Sequence, residues 1–213
     1  MAWGRRLTSS DDLYWDACVF IRYLSGDSSA ENYSDICQYV EDAKSGSRRI
    51  YASTITFAEI RQEHFNGSHV GSVTELFDDF GASFLLIDTT PNILIAAGEL
   101  RSAKAVNPTA LNPPNQRVIG TADAVHLMTC LHARDVLGIE NIVFQTFDQG
   151  KGTGHEGKTV PIIGFERWFP ETMRTERVKE VCSLIREKPV HPYPTMEGIV
   201  RYGRGLDRPQ PGA

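Results

Sequence analysis

The stretch Asp12-Leu-Tyr-Trp-Asp16-Ala-Cys-Val-Phe-Ile-Arg-Tyr-Leu24 decides the fold. Its first part reads as a short strand that stops on a carboxylate, and Ala17 to Leu24 continue as an apolar helix closed by Ser25-Gly26. The alternation of strand and helix recurs down the chain. A helix is predicted from Ala30 to Lys44, with Tyr33, Ile36, Cys37, Val40 and Ala43 on one face, followed by a strand from Ile50 to Ser53. Thr54 or Thr56 caps a helix that carries Phe57, Glu59 and Ile60 and ends at Asn66-Gly67. Then come a helix from Val70 to Phe80, a strand from Ser83 to Asp88, and a helix from Pro91 to Ala105 with proline near its N-terminus. Strands that alternate with helices argue for an α/β fold, a mainly parallel sheet with helices on both faces.

A second stretch, Gly120-Thr-Ala-Asp-Ala-Val-His-Leu-Met-Thr-Cys-Leu-His-Ala-Arg134, puts one acid, Asp123, at the opening of an otherwise apolar helix for which Thr121 is the expected N-cap. Beyond it, Asn141 to Phe147 reads as a buried strand that ends on Asp148. Thr159 to Ile163 reads as an edge strand, because Pro161 cannot donate to a ladder. Glu171 to Glu187 reads as a helix, and the Pro- and Gly-rich tail from Pro189 as extended or disordered. In parallel α/β sheets the ligand site lies outside the carboxyl ends of the strands. Asp16 and Asp148 fall there as strand ends, and Glu59 and Asp123 reach the same rim from first turns of helices. Taken singly, each has a bland reading as a turn residue, a cap or a partner of the helix dipole. Their common rim weakens that reading. Glu75, Asp78 and Asp79 lie along a helix face, Glu41 and Asp42 sit in the C-terminal half of a helix, and Asp88 ends a strand but leads into a routine Thr-Thr-Pro helix start, so these read as solvated.

Composition narrows the function classes. The 213 residues suffice for one domain with an appendage. A net charge of −5 argues against broad nonspecific binding to nucleic acid, yet fits a carboxylate cluster that receives a phosphate once metal fills it. No apolar run has membrane-spanning length and the N-terminus lacks the apolar core of a secretory signal, so the expected compartment is cytoplasmic. Cys18, Cys37, Cys130 and Cys182 form no Cys-x-x-Cys pair and read as buried reduced thiols.

Packed carboxylates repel one another unless a cation joins them. With no His or Cys pair at ligand spacing, an all-oxygen donor set selects a hard cation, Mg²⁺ or Mn²⁺. Such ions activate and orient water and stabilise charge on a phosphodiester. The chemistry indicated is phosphodiester hydrolysis.

The blocks Trp15-Asp-Ala-Cys-Val-Phe-Ile, Ser53-Thr-Ile-Thr-Phe-Ala-Glu-Ile, Thr121-Ala-Asp-Ala-Val-His-Leu and Gln145-Thr-Phe-Asp, in this order, resemble the signature blocks of PIN-domain ribonucleases, particularly VapC-type toxins of type II toxin–antitoxin systems. The resemblance covers about residues 12–169, and its third block is the most specific. It implies a PIN-like three-layer α/β/α sandwich, Mg²⁺- or Mn²⁺-dependent cleavage of RNA, a cognate antitoxin and a homodimer. It places Asp16, Glu59, Asp123 and Asp148 at the metal and catalytic positions and Thr146 at the hydroxyl preceding the last acid. Arg48, Arg49, Arg61, Lys104 and Arg117 are candidate contacts to RNA phosphates. An RNA-processing or catalytically degenerate PIN module is the alternative. The domain reading is a nuclease domain over 1–169, a helix over 170–188 and a tail over 189–213.

The chain departs from the family at Cys18, where Asn or Ser is common two residues after the first acid, and in its length beyond Trp168. His126, three residues after Asp123, reads as a core histidine bonded to backbone. The other histidines show no metal-site spacing. A competing motif, Gly152-Thr-Gly-His-Glu-Gly-Lys158-Thr159, satisfies the phosphate-binding loop pattern of nucleotide hydrolases. That loop requires a helix to begin at Lys158-Thr159, and Val160-Pro161-Ile-Ile is strand-like instead.

Overall fold

A computed structural model describes residues 12–66, 68–106, 117–149 and 159–192. Five strands, β1 (Leu13–Trp15), β2 (Ile50–Ser53), β3 (Phe84–Ile87), β4 (Val143–Gln145) and β5 (Ile185–Glu187), form one sheet in the order β3-β2-β1-β4-β5. Every neighbouring pair is parallel, with Leu13 opposite both Ile50 and Val143. The helices among the described residues are α1 (Ala17–Leu24), α2 (Tyr33–Lys44), α3 (Thr56–Glu59), α4 (Val73–Phe80), α5 (Pro91–Arg101), α6 (Thr121–Asp135) and α7 (Glu176–Cys182). None is long and apolar enough to cross a membrane.

The three central strands are short and buried along their whole length because both sheet faces are covered. Successive side chains point to opposite faces, so the sheet separates two cores. Tyr14, Tyr51 and Phe144 pack with α5, α6 and α7, while Leu13, Trp15, Ile50, Ala52 and Val143 pack with α1, α2 and α4. The result is a three-layer α/β/α sandwich with β1 at its centre. Trp15 lies edge-on to Phe20 at 5.3 Å and to Phe80 at 6.1 Å, so the first strand is clamped by α1 and by the end of α4.

Several expectations are corrected. The segment 170–188 is not one helix: Thr175 caps α7 by accepting from the Val178 amide, and the chain leaves the helix at Ser183. Ile185–Glu187 then pairs with β4, so the sheet continues past residue 169 and this segment belongs to the same domain. Residues 159–163 do not form the edge strand. The edge beside β4 is taken by β5, and the bridge between Thr159 and Val118 stands apart from the sheet. The helix expected to reach Asn66 is a single turn, because Ile60 adopts an extended conformation (ψ 113°) that drops it into the core. Gly120, not Thr121, is the N-cap of α6. All the cysteines are free, but Cys130 alone is fully buried. The tail beyond residue 192 and the loop Gly152–Lys158 lie outside the described residues.

Candidate functional site

Asp16 follows β1 and caps α1. Its carboxylate accepts from the amides of Cys18 at 3.1 Å and Val19 at 3.4 Å, satisfying donors that the first turn leaves open. It is only 6% exposed, and that burial raises its carboxyl pKa above the ordinary range. Cys18 supplies a further donor, its Sγ lying 2.7 Å from Asp16 Oδ1. Burial pushes this thiol well above its usual pKa, so it stays protonated and donates. The same sulfur accepts the Phe147 amide at 3.0 Å. Cys18 thus makes the hydrogen bonds that a hydroxyl or amide would make at this position, joining the β1 and β4 ends.

Asp148 follows β4. Its amide donates to Thr146 Oγ1 at 3.0 Å, and its Oδ2 accepts from the Ile162 amide at 3.1 Å. The Ile163 amide donates to its carbonyl at 2.9 Å. The residues expected as an edge strand are therefore spent on holding Asp148. Thr146 is fully buried and also hydrogen-bonds toward Asp16.

Asp123 lies in the first turn of α6, folded back over Gly120. A Cβ on Gly120 would meet Asp123 Oδ2 at 2.3 Å, so glycine is what makes room for this carboxylate. Its pKa is raised to about 7, first by burial and then by the negative charges of Asp148, Asp16 and Glu59. The other three acids predicted from the sequence are thus within electrostatic reach of Asp123.

Glu59, at the end of α3, is bound by His126. Its Oε2 lies 2.7 Å from His126 Nε2, and His126 Nδ1 lies 3.0 Å from the Tyr14 hydroxyl. His126 is 2% exposed. It is not bonded to backbone, as its sequence context had implied, but to one of the four acids. Nothing in the sequence pointed to this pair: the residues are 67 positions apart and meet only because α3 and α6 converge.

The basic candidates divide. Arg48 and Arg49 immediately precede β2 and so lie at the amino ends of the strands, away from the acids. Arg48 is buried, stacked over Tyr39 at 5.2 Å and paired with Asp42 at 3.7 Å, while Arg49 pairs with Asp12 at 2.9 Å. Arg61 is exposed two residues beyond Glu59 and pairs with Glu63 at 2.6 Å. Lys104 is exposed after α5. Arg117 donates to the Thr159 carbonyl at 3.2 Å and stacks over Trp168 at 4.5 Å, on the segment that leads into α6. A further pair was not anticipated: Arg22, on α1, stacks over Phe147, the neighbour of Asp148, at 4.7 Å.

No protein-family model matches the chain, and no curated protein matches it.

Among the described residues, no group of three or more His, Cys, Asp or Glu side chains is arranged around a common metal position. The chemistry of the donor set nonetheless fits a hard divalent cation. The donors are all carboxylate oxygens, and three of the acids raise the pKa of the fourth, a repulsion that a cation relieves.

Proposed function

We propose that this chain is a metal-dependent ribonuclease of PIN type, cleaving RNA phosphodiester bonds at the site formed by Asp16, Glu59, Asp123 and Asp148. The observation that carries this reading is the gathering of four carboxylates from separate elements at the carboxyl edge of a parallel sheet, where α/β folds place their ligands. An isolated carboxylate cluster of this kind is destabilising, so its assembly is best explained by use. Asp16, Asp123 and Asp148, with Glu59, would hold Mg²⁺ or Mn²⁺, which when bound supplies charge to polarise the phosphodiester and to acidify a water.

The chain's own contribution is orientation. Asp16 is fixed by two amides and the Cys18 thiol, Asp148 by the Ile162 amide, and Asp123 by the close approach of Gly120. Each carboxylate therefore presents a set direction, which is what in-line attack on phosphorus requires. Thr146 supports two of them at once. The role of toxin, a cognate antitoxin and a homodimer extend this proposal and are supported by the sequence resemblance alone.

The nucleotide-hydrolase reading is disfavoured by Thr159. It forms a bridge with Val118, and no helix starts there to cradle a phosphate. Structured RNA incubated with the purified protein and Mn²⁺, with EDTA, and with Asp16→Asn tests the proposal. Cleavage is expected only in the first case. Cleavage that survives both chelation and the substitution would sink the metal mechanism, and ATP hydrolysis abolished by Lys158→Ala would restore the competing reading.

A further inference from the structure

We infer that His126 is a positioning residue, held by Tyr14, that sets the direction of the Glu59 carboxylate toward the other three acids. The inference rests on the ribonuclease reading and concerns a contact to which neither the sequence nor that reading assigns a role.

The geometry is a relay of three side chains from three elements: Glu59 on α3, His126 on α6 and Tyr14 on the central strand β1. The contacts are 2.7 Å from Glu59 Oε2 to His126 Nε2 and 3.0 Å from His126 Nδ1 to the Tyr14 hydroxyl. A carboxylate only accepts, so Nε2 carries the hydrogen and donates to Glu59. On its other side the ring is held through Nδ1 by the Tyr14 hydroxyl. Tyr14 can hold the ring in place because it is itself fully buried. Its ring is fixed by stacking on Phe144 at 5.1 Å, so the relay ends on the most central strand of the sheet.

Glu59 needs such a support. It stands on a single helical turn that has no side-chain cap, it is a third exposed, and its side chain has three rotatable bonds. Asp16 and Asp148 are both fixed by backbone amides, whereas among the described residues the Glu59 carboxylate is held by the His126 ring. His126 occupies Oε2 and leaves Oε1 free to turn to the cluster. The charge of Glu59 acts on both Asp16 and Asp123 while this bond is made. A purely structural histidine in this core would be expected to bond to backbone. This one spans 67 residues to reach a site carboxylate.

The test compares His126→Phe, His126→Gln and Tyr14→Phe with the unmodified protein. Mn²⁺ affinity is read by electron paramagnetic resonance, RNA cleavage is measured in parallel, and thermal melting serves as the control for folding. Residues that orient a metal ligand are worth roughly 10–100-fold in metal affinity or activity. His126→Phe should lose about that much in Mn²⁺ affinity. His126→Gln, whose Nε2 can donate to Glu59, should recover most of it, and Tyr14→Phe should show a smaller loss. Should His126→Phe melt early, the Gln and Tyr14 variants still decide: a Gln variant that folds but binds Mn²⁺ as poorly as Glu59→Ala overturns the inference. Unchanged Mn²⁺ affinity in both His126→Phe and Tyr14→Phe also overturns it, leaving the ribonuclease reading intact. If the unmodified protein binds no Mn²⁺, both readings fall together.

Discussion

At the amino ends of the strands, carboxylates meet cations. Asp12 is paired with Arg49 at 2.9 Å, and Asp42 lies between Arg48 at 3.7 Å and His191 at 2.9 Å. At the carboxyl ends, burial first and then the negative charges of Asp148, Asp16 and Glu59 raise Asp123 to about pKa 7. The same residue types serve opposite ends. Where charge is compensated within the protein it stabilises the fold, with Arg48 also stacked on Tyr39 to bury its guanidinium. Where charge is left uncompensated, the fold bears a cost that a bound cation would offset, and that edge is where chemistry is to be sought.

The contrast can be broken most directly at Asp123. On the proposed metal mechanism, loss of one ligand that supplies several kcal/mol should lower RNA cleavage by Asp123→Asn on the order of 10³-fold, measured under single-turnover conditions. The same variant should be more stable, not less. An acid whose folded pKa lies near 7 against about 3.9 in the unfolded chain binds its proton more tightly when folded, so its ionisation erodes stability as pH rises from about 4 to 7. The erosion is complete above pH 7 and amounts to at most about 4 kcal/mol. Melting temperatures should therefore favour Asp123→Asn at pH 8 and converge with the unmodified protein near pH 4. Equal melting at pH 8 would show that burial and the neighbouring acids do not raise the Asp123 pKa as described.

Gly120→Ala should be next in effect. The added Cβ drives Asp123 out of place, and a misplacement of about 1 Å can cost on the order of 10²-fold in rate. Cleavage at the level of the unmodified protein would mean that the Asp123 rotamer is not the one used. At the other edge the expected pattern is reversed. Arg48→Met should destabilise by about 1–3 kcal/mol in urea, because Asp42 loses a cation, while the kcat of the surviving folded protein is unchanged. A fall in kcat would show that the two edges are coupled.

The smallest effect is expected at Cys18. Cys18→Ala removes one donor from Asp16 and should destabilise by about 1 kcal/mol, with Cys18→Ser closer to the unmodified protein. Serine no better than alanine would show that the thiol only fills space.

Much of this site was legible because its acids occupy positions with sequence signals. Asp16 and Asp148 end strands whose apolar runs are marked, and Asp123 opens an apolar helix. Glu59 was found by its place in a first turn, although that turn is shorter than its apolar pattern suggests. The basic residues were less legible: which end of a strand an arginine flanks can be read, but its partner cannot. Arg48 is spent on Asp42 and Tyr39, while Arg22 finds Phe147 across the fold.

The sequence alone determined the alternation of strand and helix, the parallel sheet that follows from it, and the acids at its carboxyl edge, since all of these rest on local periodicity and chain connectivity. Only the tertiary structure decided that Ile185–Glu187 is a fifth strand, that residues 162 and 163 hold Asp148, and that His126 belongs to Glu59. A three-residue strand with two charged side chains has no periodicity to read, and it is a strand because β4 offers it an open edge. A side-chain hydrogen bond between distant residues leaves no trace in spacing. It exists only when packing brings both groups to one place and buries them there.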